Sequence, residues 1–264
     1  MNTASTSPLP LGEGQGEGSG LEPVSPAELL VSVLAREIED GAVVATGVAS
    51  PLAILAIAVA RATHAPRLTY LACVGSLDPE LPRLLPSSED LAYLDGRSAE
   101  VSIPELFDHA RRGRVDTVFF GAAEVDAEGQ TNMSASGSLS AVRTKFPGVA
   151  GAATLRQWVN RPVLVVPRQS KRNLVARVQV ATTRDPAREA RLVTDLGTWS
   201  IGGPLGARLL TRHPEVQLES IVQRTGFPFG VPELLPETPL PDAATLAAIR
   251  ALDPLRLRDA LVGG

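Results

Sequence analysis

The single cysteine of the chain, Cys73, falls at the end of an apolar run, LTYLAC (Leu68–Cys73), just ahead of a turn at Gly75-Ser76. A thiol can act as nucleophile, proton donor or polar contact, and open α/β sheets place their chemistry at strand ends, which border the ligand crevice. The plainer reading is a small buried hydrophobe, because free cysteine is among the most buried residue types. A second stretch, Gly47-Val48-Ala49-Ser50-Pro51, reads as strand end, glycine turn and helix start. Free backbone N–H groups in such a turn can face an anionic or carbonyl oxygen. It matches neither the dinucleotide nor the P-loop pattern, and a tight βα turn also accounts for it. In FPGVAGAATLRQW, Gly148 and Gly151 stand just before a helix-forming run. His64, at the end of the second helix, reads as a capping cation. The basic run Arg168–Arg172 reads as a solvated face.

The elements that position these residues are legible locally. Ser25-Pro26-Ala27-Glu28 is a capping box, and Leu29, Leu30, Val33, Leu34 and Ile38 fall on one face of the helix it opens, which Asp40-Gly41 ends. AVVAT (Ala42–Thr46) is a strand, and Ser50-Pro51 starts a second helix that reaches His64. Leu91–Leu94 reads as a further strand, Ile103–Arg112 as a short amphipathic helix and Val115–Phe120 as a central strand. Gly121–Gly137 is small, polar and turn-rich, so it is expected to be a loop outside the core. PVLVVP (Pro162–Pro167) is a buried strand; Val175–Thr183, Arg191–Ile201 and Ala207–Thr211 alternate as antiparallel edge strands do. Gln217–Arg224 and Asp242–Leu252 read as helices. Alternating strands and helices imply an α/β fold: a mainly parallel open sheet flanked by helices, with antiparallel edge strands near the C-terminus.

Composition sets limits. The chain has 264 residues, 44% apolar and 20% charged, with a net charge of −4. That balance is ordinary for a globular protein and offers no basic face to nucleic acid. The longest apolar run, Leu52–Ala60, is too short to span a bilayer, and no secretory signal pattern is present. A cytoplasmic protein is expected. Residues 1–24 are rich in Gly, Ser and Pro and are expected to form a disordered extension, with residues 25–264 as one domain. PLPLGEGQGEG has the look of translated intergenic repeat DNA, which puts the true start further along; a regulated tail is the alternative.

The order of the short motifs resembles the β subunit of family I CoA-transferases, the glutaconate and 3-oxoacid group. The likeness runs through Gly47-Val48-Ala49-Ser50-Pro51, Thr63-His64-Ala65-Pro66 and the loop from Gly121-Ala122-Ala123-Glu124-Val125-Asp126 to Gln130-Thr131-Asn132. It continues in Pro147-Gly148-Val149-Ala150-Gly151-Ala152, Val193-Thr194-Asp195-Leu196-Gly197, Arg212-His213-Pro214, Thr225-Gly226-Phe227 and Leu252-Asp253-Pro254. The resemblance implies the CoA-transferase β-subunit fold and an α-type partner subunit in an α2β2 heterotetramer. It implies that Gly47, Val48, Ala49, Gly75, Gly148, Val149, Ala150 and Gly151 face the thioester, acyl or CoA portion of the substrate. Structural turn glycines are the alternative. No metal and no cofactor beyond the substrate's own CoA are expected.

One departure matters most. The family pattern has a glutamate at this strand end, which attacks acyl-CoA and becomes an enzyme-bound CoA thioester. Aligned on Gly75, that glutamate falls at Cys73. Ala150 likewise replaces a usual glycine, and Glu124 and Gln130 replace residues that are often Gln and Asn. A thiolate attacking a thioester merely exchanges one thioester for another, so Cys73 argues against CoA transfer. A branch of the family, the CoA-transferase-like 3-methylglutaconyl-CoA decarboxylases of myxobacteria, carries such a cysteine. The resemblance therefore implies decarboxylation, with Cys73 as catalytic acid or positioning group. Three alternatives stand beside it: hydrolysis of ring-opened cyclic CoA thioesters, CoA transfer with an unusual nucleophile, and a structural subunit whose partner holds all the chemistry.

Overall fold

Residues 23–47, 50–146, 148 and 150–262 are described, in a computed structural model of the chain. The segment expected to be disordered lies outside the described residues up to residue 22. The chain opens with α1 (Pro26–Arg36), β1 (Val43–Thr46), α2 (Pro51–Ala62), β2 (Thr69–Ala72) and β3 (Ser76–Leu77). It continues with β4 (Ala99–Glu100), α3 (Ile103–Arg111), β5 (Thr117–Gly121), the strand pairs β6 (Glu124–Val125) with β7 (Thr131–Asn132) and β8 (Ala135–Ser138) with β9 (Ala141–Lys145), then α4 (Ala152–Trp158) and β10 (Arg161–Val166). The last third holds β11 (Ala190–Thr194), β12 (Gly197–Ile201), β13 (Arg208–Arg212), α5 (Leu218–Gln223), α6 (Ala243–Leu252) and α7 (Leu257–Val262).

The main sheet runs β13-β12-β11-β10-β5-β1-β2-β3-β4. Pairing is parallel from β2 through β1, β5 and β10 to β11 and antiparallel at both edges, β11-β12-β13 and β2-β3-β4. Of the expected antiparallel strands near the C-terminus, Arg191–Ile201 folds as the hairpin β11-β12 and Ala207–Thr211 as β13, and the opposite edge adds a second antiparallel set. Side chains alternate between faces, as the pleat requires. Val44, Phe119, Val163 and Val165 pack with α1, α2, α6 and α7, whereas Ala45, Phe120, Leu164 and Val166 pack with α3, α4 and α5. Helices therefore cover both faces of the sheet, which is why the parallel strands read as near-continuous apolar runs.

The Ser25 capping box forms as expected: Ser25 Oγ accepts from Glu28 N, and the Glu28 carboxylate accepts from Ser25 N. Glu28 is almost fully buried, and its carboxylate also accepts from Arg250 Nε (2.9 Å) and Arg258 Nη2 (2.9 Å). Arg258 in turn pairs with Asp253 at 3.0 Å. This buried network fastens α1 to the C-terminal helices, of which α7 had no clear sequence signal.

Four expectations fail. Leu91–Leu94 is a 3-10 turn, not a strand, because the Asp90 side chain accepts from Ala92 N and Tyr93 turns into the core. Residues 121–137 are not a surface loop: Glu124, Asp126, Thr131 and Asn132 are buried. Glu124 accepts from Asn132 Nδ2 (2.9 Å) and Gln179 N (2.8 Å), and Asp126 from Gln130 N (3.0 Å). Buried polar groups must be paired, and these pair with one another. The same carboxylates explain why Val175–Thr183 forms no regular strand, since Gln179 N and Val178 N donate to Glu124 and Asp126 side chains instead of to a ladder. His64 does cap a helix, but not its own: Nε2–H donates to Ala35 O (3.1 Å) and Ile38 O (3.2 Å) at the end of α1.

Candidate active site

The strand order reverses at β1. The chain steps from β1 to β2 on one side and later returns to lay β5 on the other. In open α/β sheets such a reversal leaves a crevice at the carboxyl ends of the strands. Gly47 follows β1 there, Cys73 follows β2, and Gly121 ends β5. At the opposite end of the sheet a depression of about 370 Å³ is lined by Asp116, Asn160, Arg161 and Glu39. Its polar groups bond one another, Asp116 to Val43 N and Asn160, Arg161 to Glu39, so it is structural.

Cys73 is the first residue of a three-residue turn between β2 and β3, whose register pairs Ala72 with Ser76. Gly75 closes the turn, its N–H donating to Ala72 O at 3.0 Å with φ at +91°. A Cβ there would sit 3.1 Å from Val101 O, so both backbone and space call for glycine. The turn leaves Cys73 half-buried, at the edge of a cavity of about 600 Å³ bounded by Val74, Leu94, Val101 and the first turn of α3. The Cys73 thiol donates to Ser88 O at 3.7 Å. Burial pushes the thiol pKa up, the Glu89 carboxylate pushes it further, and the Thr46 hydroxyl partly opposes the two. Thr46 also bonds Tyr70 Oη at 2.7 Å, in the layer beneath. The thiol is therefore held in its neutral form, an acid and hydrogen-bond donor and a poor nucleophile.

The structure brings only some of the expected residues to this cavity. Cys73 and Gly75 line it. Gly47 stands at the adjacent strand end, with open space where a Cβ would point. Val48, Ala49 and Val149 lie outside the described residues. Gly148 has φ +103° and Ala150 φ +42°, a left-handed conformation that costs a residue with a Cβ about 1–2 kcal/mol. Gly151 packs against the Phe107 ring of α3, which meets Trp158 of α4 edge to face at 6.2 Å. Gly151 thus backs α3, whose other end opens on the Cys73 cavity, and Gly148, Ala150 and Gly151 do not line the cavity itself. Sequence reasoning missed Thr46, Ser88 and Glu89. No periodicity marks them, and Ser88 reaches Cys73 only because the 84–95 segment folds back over β2 and β3, anchored by Ser76 Oγ donating to Tyr93 O (2.8 Å).

The model of the Coenzyme A transferase family matches residues 28–224. The crystal structure of the decarboxylase AibA/AibB superposes with a TM-score of 0.89 at 74% identity, covering 92% of this chain and all of the matched one. That pair has also been crystallised with one cysteine replaced by alanine, valine, serine or asparagine. One of the subunits of the 3-oxoadipate CoA-transferase from Pseudomonas knackmussii is 28% identical over 247 residues, 86% of this chain and 92% of its own length. The IpdB component of the cholesterol ring-cleaving hydrolase from Rhodococcus jostii is 29% identical over 234 residues, 80% of this chain and 87% of its own length.

Proposed function

The chain belongs to the coenzyme A transferase family, and from that premise we propose that it is the β-type subunit of a heteromeric decarboxylase. Its substrate is 3-methylglutaconyl-CoA, its products 3,3-dimethylacrylyl-CoA and CO2, and its setting the alternative route to isovaleryl-CoA in the cytoplasm. The observation that carries this reading is the neutral thiol of Cys73 at the strand end where a CoA-transferase needs a carboxylate. The 74% identity to one chain of a decarboxylase pair supports it.

In the proposed step the bond to the γ-carboxylate breaks and CO2 leaves. The electron pair passes into a dienolate conjugated to the thioester. Backbone N–H groups at Gly47 and Val48 stabilise the thioester oxyanion. Ala49, Gly75 and Gly148–Gly151 position the acyl and CoA portions. Cys73 then either donates its proton to the γ-carbon, to be reprotonated from solvent, or holds the acyl chain for a proton from water. A thiol suits this place because it puts no negative charge against the substrate carboxylate and can still donate a proton. CoA enters as part of the substrate and no resident cofactor is needed. An α-type subunit completes the site in an α2β2 assembly.

The test is CO2 release from 3-methylglutaconyl-CoA by the co-expressed pair. Release of free CoA, the hydrolytic outcome, or exchange of CoA onto an added carboxylate would overturn the reading. A mass-spectrometric search for an acyl or CoA adduct on Cys73 decides its role, since an adduct competent for turnover rules out acid catalysis.

A further inference from the structure

We propose that Glu89 is a positioning residue of the Cys73 site: held by Ser88, which joins the N-terminus of α2 to the thiol, its carboxylate adds to burial in disfavouring a thiolate at Cys73. This rests on the proposed decarboxylation, in which a neutral thiol is what the site needs. The backbone N–H of Ser50, at the start of α2, donates to Ser88 Oγ at 3.2 Å. Ser88 Oγ in turn donates to Glu89 Oε1 at 2.6 Å, and Ser87 Oγ donates to the other oxygen, Oε2, at 3.1 Å. The next group along the same residue, Ser88 O, accepts from the Cys73 thiol at 3.7 Å. A buried serine therefore joins three things: a helix N-terminus, a carboxylate and the thiol.

The physical consequence follows from signs. A helix N-terminus carries partial positive charge and lowers the pKa of a thiol beside it. Here the Ser50 N–H at that end of α2 donates to the Ser88 hydroxyl, which orients toward Glu89. Negative charge is held on Glu89, and the Cys73 thiol turns to the Ser88 carbonyl and the Thr46 hydroxyl. The other ionisable groups facing Cys73 do not offset this. They are Tyr70 on its own strand, Tyr93 from the 3-10 turn, Glu100 of β4 and Glu105 of α3. Glu100 is paired with Arg97 at 2.5 Å, and Glu105 is engaged by Ser102. Among the described residues lining the cavity there is no lysine, arginine or histidine. Removing Glu89 is thus the change that takes a negative charge from beside the thiol and releases the Ser88 hydroxyl.

Cys73 is the only cysteine of the chain, so alkylation followed by mass spectrometry of this subunit reports on it alone. The experiment is the pH profile of iodoacetamide labelling in the assembled pair for wild type, Glu89→Gln, Glu89→Asp and Ser88→Ala. Glu89→Gln is expected to label about threefold faster near neutral pH, the Coulombic scale of one exposed charge, with its profile moved to lower pH. Glu89→Asp is expected to keep the wild-type profile and Ser88→Ala to move with Glu89→Gln. Added salt should shift the wild-type profile downward and leave that of Glu89→Gln in place. Unchanged labelling in Glu89→Gln, or in Ser88→Ala if the former does not assemble, overturns the proposal. Labelling and CO2 release are separate readouts. A labelling shift in a pair that releases no CO2 keeps this inference and removes the decarboxylase reading.

Discussion

Replacing Cys73 with alanine separates catalysis from structure, because the thiol is little used by the fold. Its Sγ makes only weak polar contacts, with Ser88 O at 3.7 Å and with the Thr46 hydroxyl, and the residue is only half-buried, so water reaches the space it leaves. The turn is held by backbone instead, through Gly75 N to Ala72 O and Val101 N to Gly75 O. Stability should fall by less than about 1 kcal/mol, the scale of one hydrogen bond. For a chain of this length that moves the melting temperature by about 2–4 °C at most. If Cys73 delivers the proton, turnover should drop about 10²–10⁴-fold, the usual contribution of a general acid. Cys73→Ser keeps a donor of higher pKa and should lie between wild type and the alanine variant. The assay is CO2 release per assembled pair alongside thermal unfolding of the same preparation. An alanine variant that unfolds normally and turns over at the wild-type rate would refute a chemical role for Cys73 and favour a structural subunit.

Three further outcomes test how the scaffold is built. Glu28→Gln takes one carboxylate from a buried network of two arginines and two acids, and should cost about 3–5 kcal/mol in denaturant unfolding. Gly151→Ala drives a methyl into the Phe107 ring and should cost about 1–3 kcal/mol, largely recovered in the double variant with Phe107→Leu. His213 is buried, with Nε2–H donating to Thr194 O (2.9 Å) and Nδ1 accepting from Thr238 Oγ1 (2.9 Å), and burial lowers its pKa to about 4. The unfolded chain takes up this proton first, so stability present above pH 6.5 should be lost as pH falls toward 4. The full loss is on the order of 3 kcal/mol, and His213→Gln should flatten that slope in unfolding measured across the window.

Much of the fold is written in local sequence. The Ser25 capping box, the apolar runs AVVAT and PVLVVP, and the glycine after Cys73 each act over a few residues, so they can be read before any tertiary contact exists. Sequence order also places Cys73 at a strand end, and the family pattern marks it as a replaced glutamate. Local polarity misled where burial depends on a distant partner. Residues 121–137 look like a surface loop, yet Glu124 and Asp126 are buried because residues 178–179 arrive to donate to them. His64 found its acceptors 26 and 29 residues away, at the end of another helix. The sequence by itself determined which strand carries the thiol and that no carboxylate stands there. The apolar strand already favours the neutral thiol; only the tertiary structure decided which charged group reinforces burial there, because Glu89 comes within reach through the returning 84–95 segment. A charge state is set by the whole field around a group, and no short window of sequence contains that field.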